Sequence, residues 1–222
     1  MSNSKIVKEL QESGAHFAYS KSKMHPSAEP YILGRKDSRE IFDLEKTVEK
    51  MDEAKKLLSE ILSSKKSIMI VGTKNEARAA VKDKAESLGQ AFVNLRFIGG
   101  TISNFAEIKK RLTRLNDLEA KFAAGNLEGY TKKEKLQLQR EMDKLQEKFG
   151  GIKKMTGLPS ALVVVDPKHE SIAVKEARDK GITVVAIANN DCNYNEVDYV
   201  IPANDSSKDA IAYILDYILP TQ

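Results

Sequence analysis

The residues best placed to do chemistry are four aspartates, each read as lying near the end of a short apolar run: Asp166, Asp191, Asp198 and Asp205. Carboxylates collected at strand ends can hold a hard cation, because such ions take oxygen ligands. Aspartates that cap helices and turns look the same in sequence. The run ending at Asp166, ALVVVD, has the form of a Walker B strand, which acts only beside a phosphate-binding loop. The loop in the matching place, VGTKNEA, contains neither G-x-G-x-x-G nor G-x-x-x-x-G-K-[ST]. Gly72 therefore reads as a turn glycine, and Asp166, before Pro167, as a strand-end or capping residue. His16, His25 and His169 lack metal-ligand spacing, and no serine sits in a nucleophile elbow. Cys192, beside Asn190 and Asp191, lacks a basic activator. These residues imply no catalytic constellation, no metal site and no cofactor.

The elements that would position such residues are legible as text. Short apolar runs lie at 67–72, 91–95, 161–166, 183–188 and 199–202, most of them apolar at consecutive positions, as in strands covered on both faces. Helical stretches follow three of them, at about 75–88, 169–180 and 206–219. Alternation of this kind predicts an α/β fold with a doubly wound, parallel, five-stranded sheet. An amphipathic helix from Asp43, with Leu44, Val48, Met51, Leu58 and Ile61 near helical spacing, must pack on it. Ahead of that, residues 1–42 read as a short helix over 4–12, ended by Gly14, and an irregular basic arm. The 222 residues suit one globular domain with an accessory element. No run is long enough to span a membrane, and the opening MSNSKIVKELQESG lacks a cleavable apolar core, so a cytoplasmic location is expected.

Residues 101–150 differ from the rest. Phe105, Ile108, Leu112, Leu115 and Phe122 recur at helical steps, and after AAGNLEGY so do Leu138, Met142, Leu145 and Phe149. Two amphipathic helices joined by a glycine-containing loop predict an inserted antiparallel coiled-coil hairpin, splitting the sheet domain into 43–100 and 151–222. Thr131 with Glu134 forms a capping-box signature, and Gly150 and Gly151 end the second arm. At about 25 Å per arm, part of the hairpin should project from the sheet.

Charge follows the same division. Residues 1–158 hold 31 Lys and Arg against 22 Asp and Glu, whereas residues 159–222 hold 5 against 10. One surface is thus suited to a polyanion. The hairpin region 101–158 holds 13 basic residues against 8 acidic ones. KKRLTR places Lys109, Lys110, Arg111 and Arg114 on its first arm, Lys132 and Lys133 start the second, and Lys153 and Lys154 follow the double glycine. A solvated helical surface would carry some of this charge, but four basic residues in six fit phosphate better, since the arginine fork can bind phosphate oxygens in pairs.

GAHFAYS, PYILG, IFDLEKTVEKMDEA, IVGTKNEA, FVNLRFIGGTISNF, FGGIKKMTGLPSALVVVDPKHE and TVVAIANN with YVIPAND occur in an order that resembles the universal family of small-subunit ribosomal protein number two, over about residues 6–219. The resemblance implies a flavodoxin-like sheet with an inserted coiled-coil hairpin. It also implies a non-enzymatic structural component of the small ribosomal subunit that binds ribosomal RNA between head and body and contacts neighbouring ribosomal proteins. In many bacteria the family helps to dock the multi-OB-fold first protein of the small subunit. Some members place a zinc ion between a second histidine of the N-terminal motif and acidic residues of the last loops. Tyr19 and Asn189 occupy those places here, with Asp205 retained. Tryptophans common in the family are absent as well.

Together, charge and resemblance nominate Lys21, Lys23, His25, Arg35, Arg96, Lys109, Lys110, Arg111, Arg114, Lys132, Lys133, Lys153 and Lys154 as RNA contacts. Gly99 and Gly100 could let backbone approach backbone, or serve tight packing at the hairpin base. Two other readings use the same fold: a domain binding a small phosphorylated ligand at its strand ends, and an RNA-binding factor that visits ribosomes transiently.

Overall fold

The computed structural model describes residues 3–125 and 129–220. Five strands form its parallel sheet: β3 (Ile68–Val71), β4 (Ala91–Val93), β5 (Ala161–Val165), β6 (Thr183–Ala188) and β7 (Tyr199–Pro202). Their order is β4-β3-β5-β6-β7, all parallel. This is the flavodoxin-like arrangement, in which the chain reverses direction between the first and third core strands, here β3 and β5. The consecutive apolar runs have a direct cause. Ile68, Ile70, Val163, Val165, Val185 and Ile187 face one layer, while Met69, Val71, Leu162, Val164, Val184 and Ala186 face the other.

The first layer is built by α1 (Asn3–Glu12), α2 (Leu44–Ser63), α3 (Arg78–Ser87) and α7 (Lys208–Ile218). They contribute Ile6, Leu10, Val48, Met51, Leu58, Val81, Ile211 and Leu215 to the buried core. Asp43 caps α2 by accepting from the Glu45 amide at 3.1 Å. The second layer contains α6 (Ser171–Asp179) and α4 (Phe105–Ala123), with Phe149 at the end of α5 (Lys132–Phe149). Both α4 and α5 lie in the β4-to-β5 crossover.

The segment expected as an irregular arm has more order than its sequence suggests. Two 3-10 turns, Lys21–Lys23 and Pro26–Tyr31, lead into an antiparallel hairpin of β1 (Ile32–Lys36) and β2 (Arg39–Phe42). Asp37 and Ser38 at its tip have φ of 48° and 67°, the doubly left-handed turn that matches the twist of a tight hairpin. Phe17 adds a bridge to Ile41 on the other side of β2.

The capping box at the start of α5 is present: the Thr131 hydroxyl accepts from the Glu134 amide at 3.3 Å, and the Glu134 carboxylate accepts from the Thr131 amide at 2.7 Å. Burial in the α4–α5 unit is one-sided. Ile108, Leu112, Leu115 and Leu118 are buried on α4, against Phe149 alone on α5, where a symmetric coiled-coil seam would bury both helices alike. Part of the loop expected to join them, residues 126–128, lies outside the described residues.

Candidate nucleic-acid interface

In a doubly wound sheet the carboxyl ends of the strands at the reversal point form the usual ligand crevice. Here the chain fills it. Lys74, in the turn after β3, places its ammonium 2.8 Å from Asp166 Oδ2 and 2.7 Å from Asp205 Oδ2. Burial alone would depress the lysine; the two carboxylates outweigh that and hold it above its ordinary value. Asp205 has no exposed surface, so desolvation pushes its carboxyl up despite the lysine. Asp166 is less deeply buried, and the Lys74 ammonium with the His169 amide draws it below the ordinary carboxylate value against its own desolvation. Beside them the Glu170 carboxylate accepts from both the Thr73 amide and hydroxyl, at 2.8 and 2.5 Å.

The four aspartates therefore do not gather around one cation. Asp166 and Asp205 converge on Lys74, Asp191 pairs with Lys168 at 2.8 Å, and Asp198 accepts from the Val184 amide. Asn189 Nδ2 donates to the remaining oxygen, Asp205 Oδ1, at 2.9 Å, and Asn189 Oδ1 lies 3.4 Å from the Tyr19 amide. Both Asp205 oxygens are thus engaged by protein donors. Asn189 and Asp205 bind each other, and Tyr19 joins them through its backbone amide, so the three positions at which the resemblance would place a metal in some members do not fit one here.

These strand-end loops also carry the N-terminal arm. The Asn190 side chain bonds the Tyr19 amide and carbonyl, each at 3.0 Å, and its carbonyl accepts from the His25 amide at 2.8 Å. Asn204 donates to the Gly14 carbonyl, and Ser207 to that of Ser13. The half-buried His25 ring bonds locally, with Nδ1 2.8 Å from the Ser27 hydroxyl. Lys21 and Lys23 stay exposed on the first 3-10 turn, and Arg35 on β1.

At the base of α4, Glu176 of α6 reaches across the loop 100–103. Its carboxylate accepts from the amides of Gly100, Ile102 and Ser103 at 2.5, 2.9 and 3.0 Å. Desolvation would raise this carboxyl, but the three amides hold it below the ordinary glutamate value. Gly100, at φ +92°, needs to be glycine, and its amide is taken by Glu176. Gly99, just before that loop, is exposed, as is Arg96, three residues beyond the end of β4.

The basic run on α4 divides by partner. Lys110 pairs with Glu107 at 2.6 Å, and Arg114 grips Glu141 of α5 through two contacts of 2.9 Å. Lys109 and Arg111 are exposed and make no ion pair among the described residues. Lys132 and Lys133 are exposed in the first turn of α5. At the other end Lys153 contacts Glu119, and Lys154 is exposed. Gly151 lies so close to the β4 edge that a Cβ there would meet the Phe92 carbonyl oxygen at 2.3 Å. Residues of the cation network at the strand ends (Lys74) and of the amide nest (Glu176) escape a search by motif, because each acts on partners far away in sequence.

No helix among the described residues is long and apolar enough to cross a membrane. A crevice occupied by its own lysine, together with exposed cations such as Lys109 and Arg111 that make no ion pair among the described residues, is compatible with assembly on a polyanion. The family model described as ribosomal protein S2 matches residues 10–221, nearly the whole chain. This chain belongs to the ribosomal protein S2 family, whose members are structural proteins of the small ribosomal subunit in the cytoplasm, associated with ribosomal RNA and other small-subunit proteins.

Proposed function

We propose that this protein binds ribosomal RNA between the head and body of the small subunit, supports subunit assembly and translation, and performs no catalytic step. One contrast carries the reading: the crevice where a doubly wound enzyme would hold its ligand is occupied by Lys74, while Lys109, Arg111, Lys132 and Lys133 stand exposed and make no ion pair among the described residues. Such cations neutralise phosphates without reading sequence, so they position the protein on a folded RNA. Arg35, Lys21, Lys23 and Arg96 extend the same surface chemistry to the arm and the β4 loop, and Lys154 to the hairpin base. Family membership supports contacts with other small-subunit ribosomal proteins, and docking of the multi-OB-fold first protein belongs to this proposal alone.

The test is the amount of this protein in purified small subunits from its own cells after low-salt and high-salt washes. Purely electrostatic contacts weaken steeply with salt, each adding to the slope. About one copy per subunit surviving the high-salt wash is the expected result. Absence from subunits at low salt overturns the reading, and growth-dependent, substoichiometric occupancy replaces it with a transient factor.

A further inference from the structure

Between the β1–β2 tip and the strand-end loops lies a cleft of about 520 Å³, lined by Phe17, Tyr19, Ser20, Arg39, Asn204 and Ser206 among others. Its size is within the range of small-molecule sites. Its chemistry is unlike that of the sealed crevice. Phe17 is 36% exposed although it is a large aromatic. The His16 ring backs it at a centroid distance of 4.0 Å, and the bridge to Ile41 fixes its backbone. Serine hydroxyls and Tyr19 line the walls.

Cations stand around the rim. Arg39 is exposed and faces Lys36 across the hairpin register, and neither makes an ion pair among the described residues. Lys23 holds its ammonium 5.1 Å above the Tyr19 ring. Glu40 is buried, and the one exposed carboxylate among the described lining residues, Asp37 in the turn, is outnumbered by Arg39, Lys36 and Lys23. An accessible ring, hydrogen-bonding walls and cations spaced along the rim are what single-stranded RNA requires: a base stacks, and the phosphates on either side meet charge. A duplex keeps its bases stacked and offers such a cleft nothing to seat. A free mononucleotide would need a phosphate cradle inside the cleft, whereas Arg39 is the one cation in its lining and Lys36 and Lys23 lie outside it.

We propose that this cleft seats one unstacked base of a single-stranded RNA segment, stacked on Phe17, with Arg39, Lys36 and Lys23 on the flanking phosphates. The inference rests on the RNA-binding reading above and adds a second contact, separate from the α4–α5 face.

The experiment measures fluorescence anisotropy of the full chain with a labelled single strand of about ten nucleotides, within the usual range of single-strand site sizes, and with a duplex of equal length. Phe17→Ser and Phe17→Leu should each weaken single-strand binding about fivefold or more and leave duplex binding unchanged; the leucine keeps apolar contact without a ring. Arg39→Gln should weaken binding of both and lower the salt slope by about one. Single-strand affinity unchanged in both Phe17 variants overturns the proposal while RNA binding stands. Saturable competition by uridine monophosphate, lost in Phe17→Ser, also overturns it, in favour of a free-ligand site. Failure of the wild-type chain to bind either RNA overturns both readings.

Discussion

The ammonium of Lys74 stands 2.7 Å from the carboxylate of Asp205, 131 residues further along the chain and without exposed surface. Through Asp166 the same ammonium also ties the end of β5, so one side chain joins the loops after β3, β5 and β7. Those loops hold the N-terminal arm by Asn204 and Ser207, and Asn189 links Asp205 towards Tyr19. The crevice that would receive a ligand in another member of this fold class has become a joint.

Removing the cation should therefore cost stability. Lys74→Met leaves two carboxylates facing each other with Asp205 fully buried, and loss of one partner from a buried ion pair costs about 3–5 kcal/mol. Adding Asp205→Asn should recover a large part of it, because the remaining buried charge disappears. The sign of the pH response follows from burial, which already raises the Asp205 carboxyl. In Lys74→Met the penalty is full where Asp205 is ionised and shrinks as acid protonates it. Urea unfolding at several pH values reads all three effects; a Lys74→Met deficit that does not narrow in acid would show that Asp205 is not the source.

How far the sequence revealed this depends on what each residue touches. The strands were legible because two covered faces demand apolar residues at every position, and Thr131 with Glu134 was legible because both cap partners lie within one turn. The β1–β2 hairpin was not: Leu33, Gly34, Arg35 and Lys36 are all exposed, so no alternation marks a buried face. Lys74 carried no signal because a single lysine in a polar turn resembles solvated charge until the topology brings Asp166 and Asp205 to it. Glu176 was silent for another reason, since its partners are backbone amides, which have no residue type.

Glu176 offers the second test. Its carboxyl is held below the ordinary glutamate value by the amides of Gly100, Ile102 and Ser103, with its partial burial opposing them. A carboxyl depressed on folding contributes stability that is present above its unfolded value, about 4.3, and is lost as pH falls towards its folded value. Glu176→Gln replaces one acceptor oxygen by a donor and leaves an amide of the loop without a partner, at a cost of about 1 kcal/mol. Thermal melts from neutral pH to about pH 3 should show the variant less stable at neutral pH and flatter through the acid range where glutamate titrates. Parallel curves would remove Glu176 from the acid response.

Glycine substitutions separate close approach from chain freedom. Gly151→Ala puts a methyl 2.3 Å from the Phe92 carbonyl oxygen, so the start of the segment after α5 must move away from the β4 edge. Gly157→Ala meets nothing within 4 Å and has no left-handed backbone to strain. We expect Gly151→Ala to destabilise by more than about 1 kcal/mol, as overpacking does, and Gly157→Ala to stay within about 0.5 kcal/mol of wild type. Equal melting temperatures for the two would mean that the β4 contact contributes little.

Substitution of the basic run on α4 distinguishes cations that face outward from cations already paired. Lys109→Gln with Arg111→Gln removes two exposed charges that make no ion pair among the described residues, Arg111 reaching Glu141 only through its longer-range field, whereas Lys110→Gln with Arg114→Gln removes two in direct contact with Glu107 and Glu141. The net charge changes equally, so long-range attraction to RNA falls alike in both. Direct phosphate contact does not: the first pair should lower the salt slope of RNA binding by about two and reduce incorporation into small subunits, with melting nearly unchanged. The second pair should lower the slope less and cost about 0.5–1 kcal/mol, most of it from the Arg114–Glu141 fork, which is half exposed and screened by water. Matching salt slopes for the two double variants would mean that RNA draws Arg114 away from Glu141, and that the fork belongs to the free protein alone.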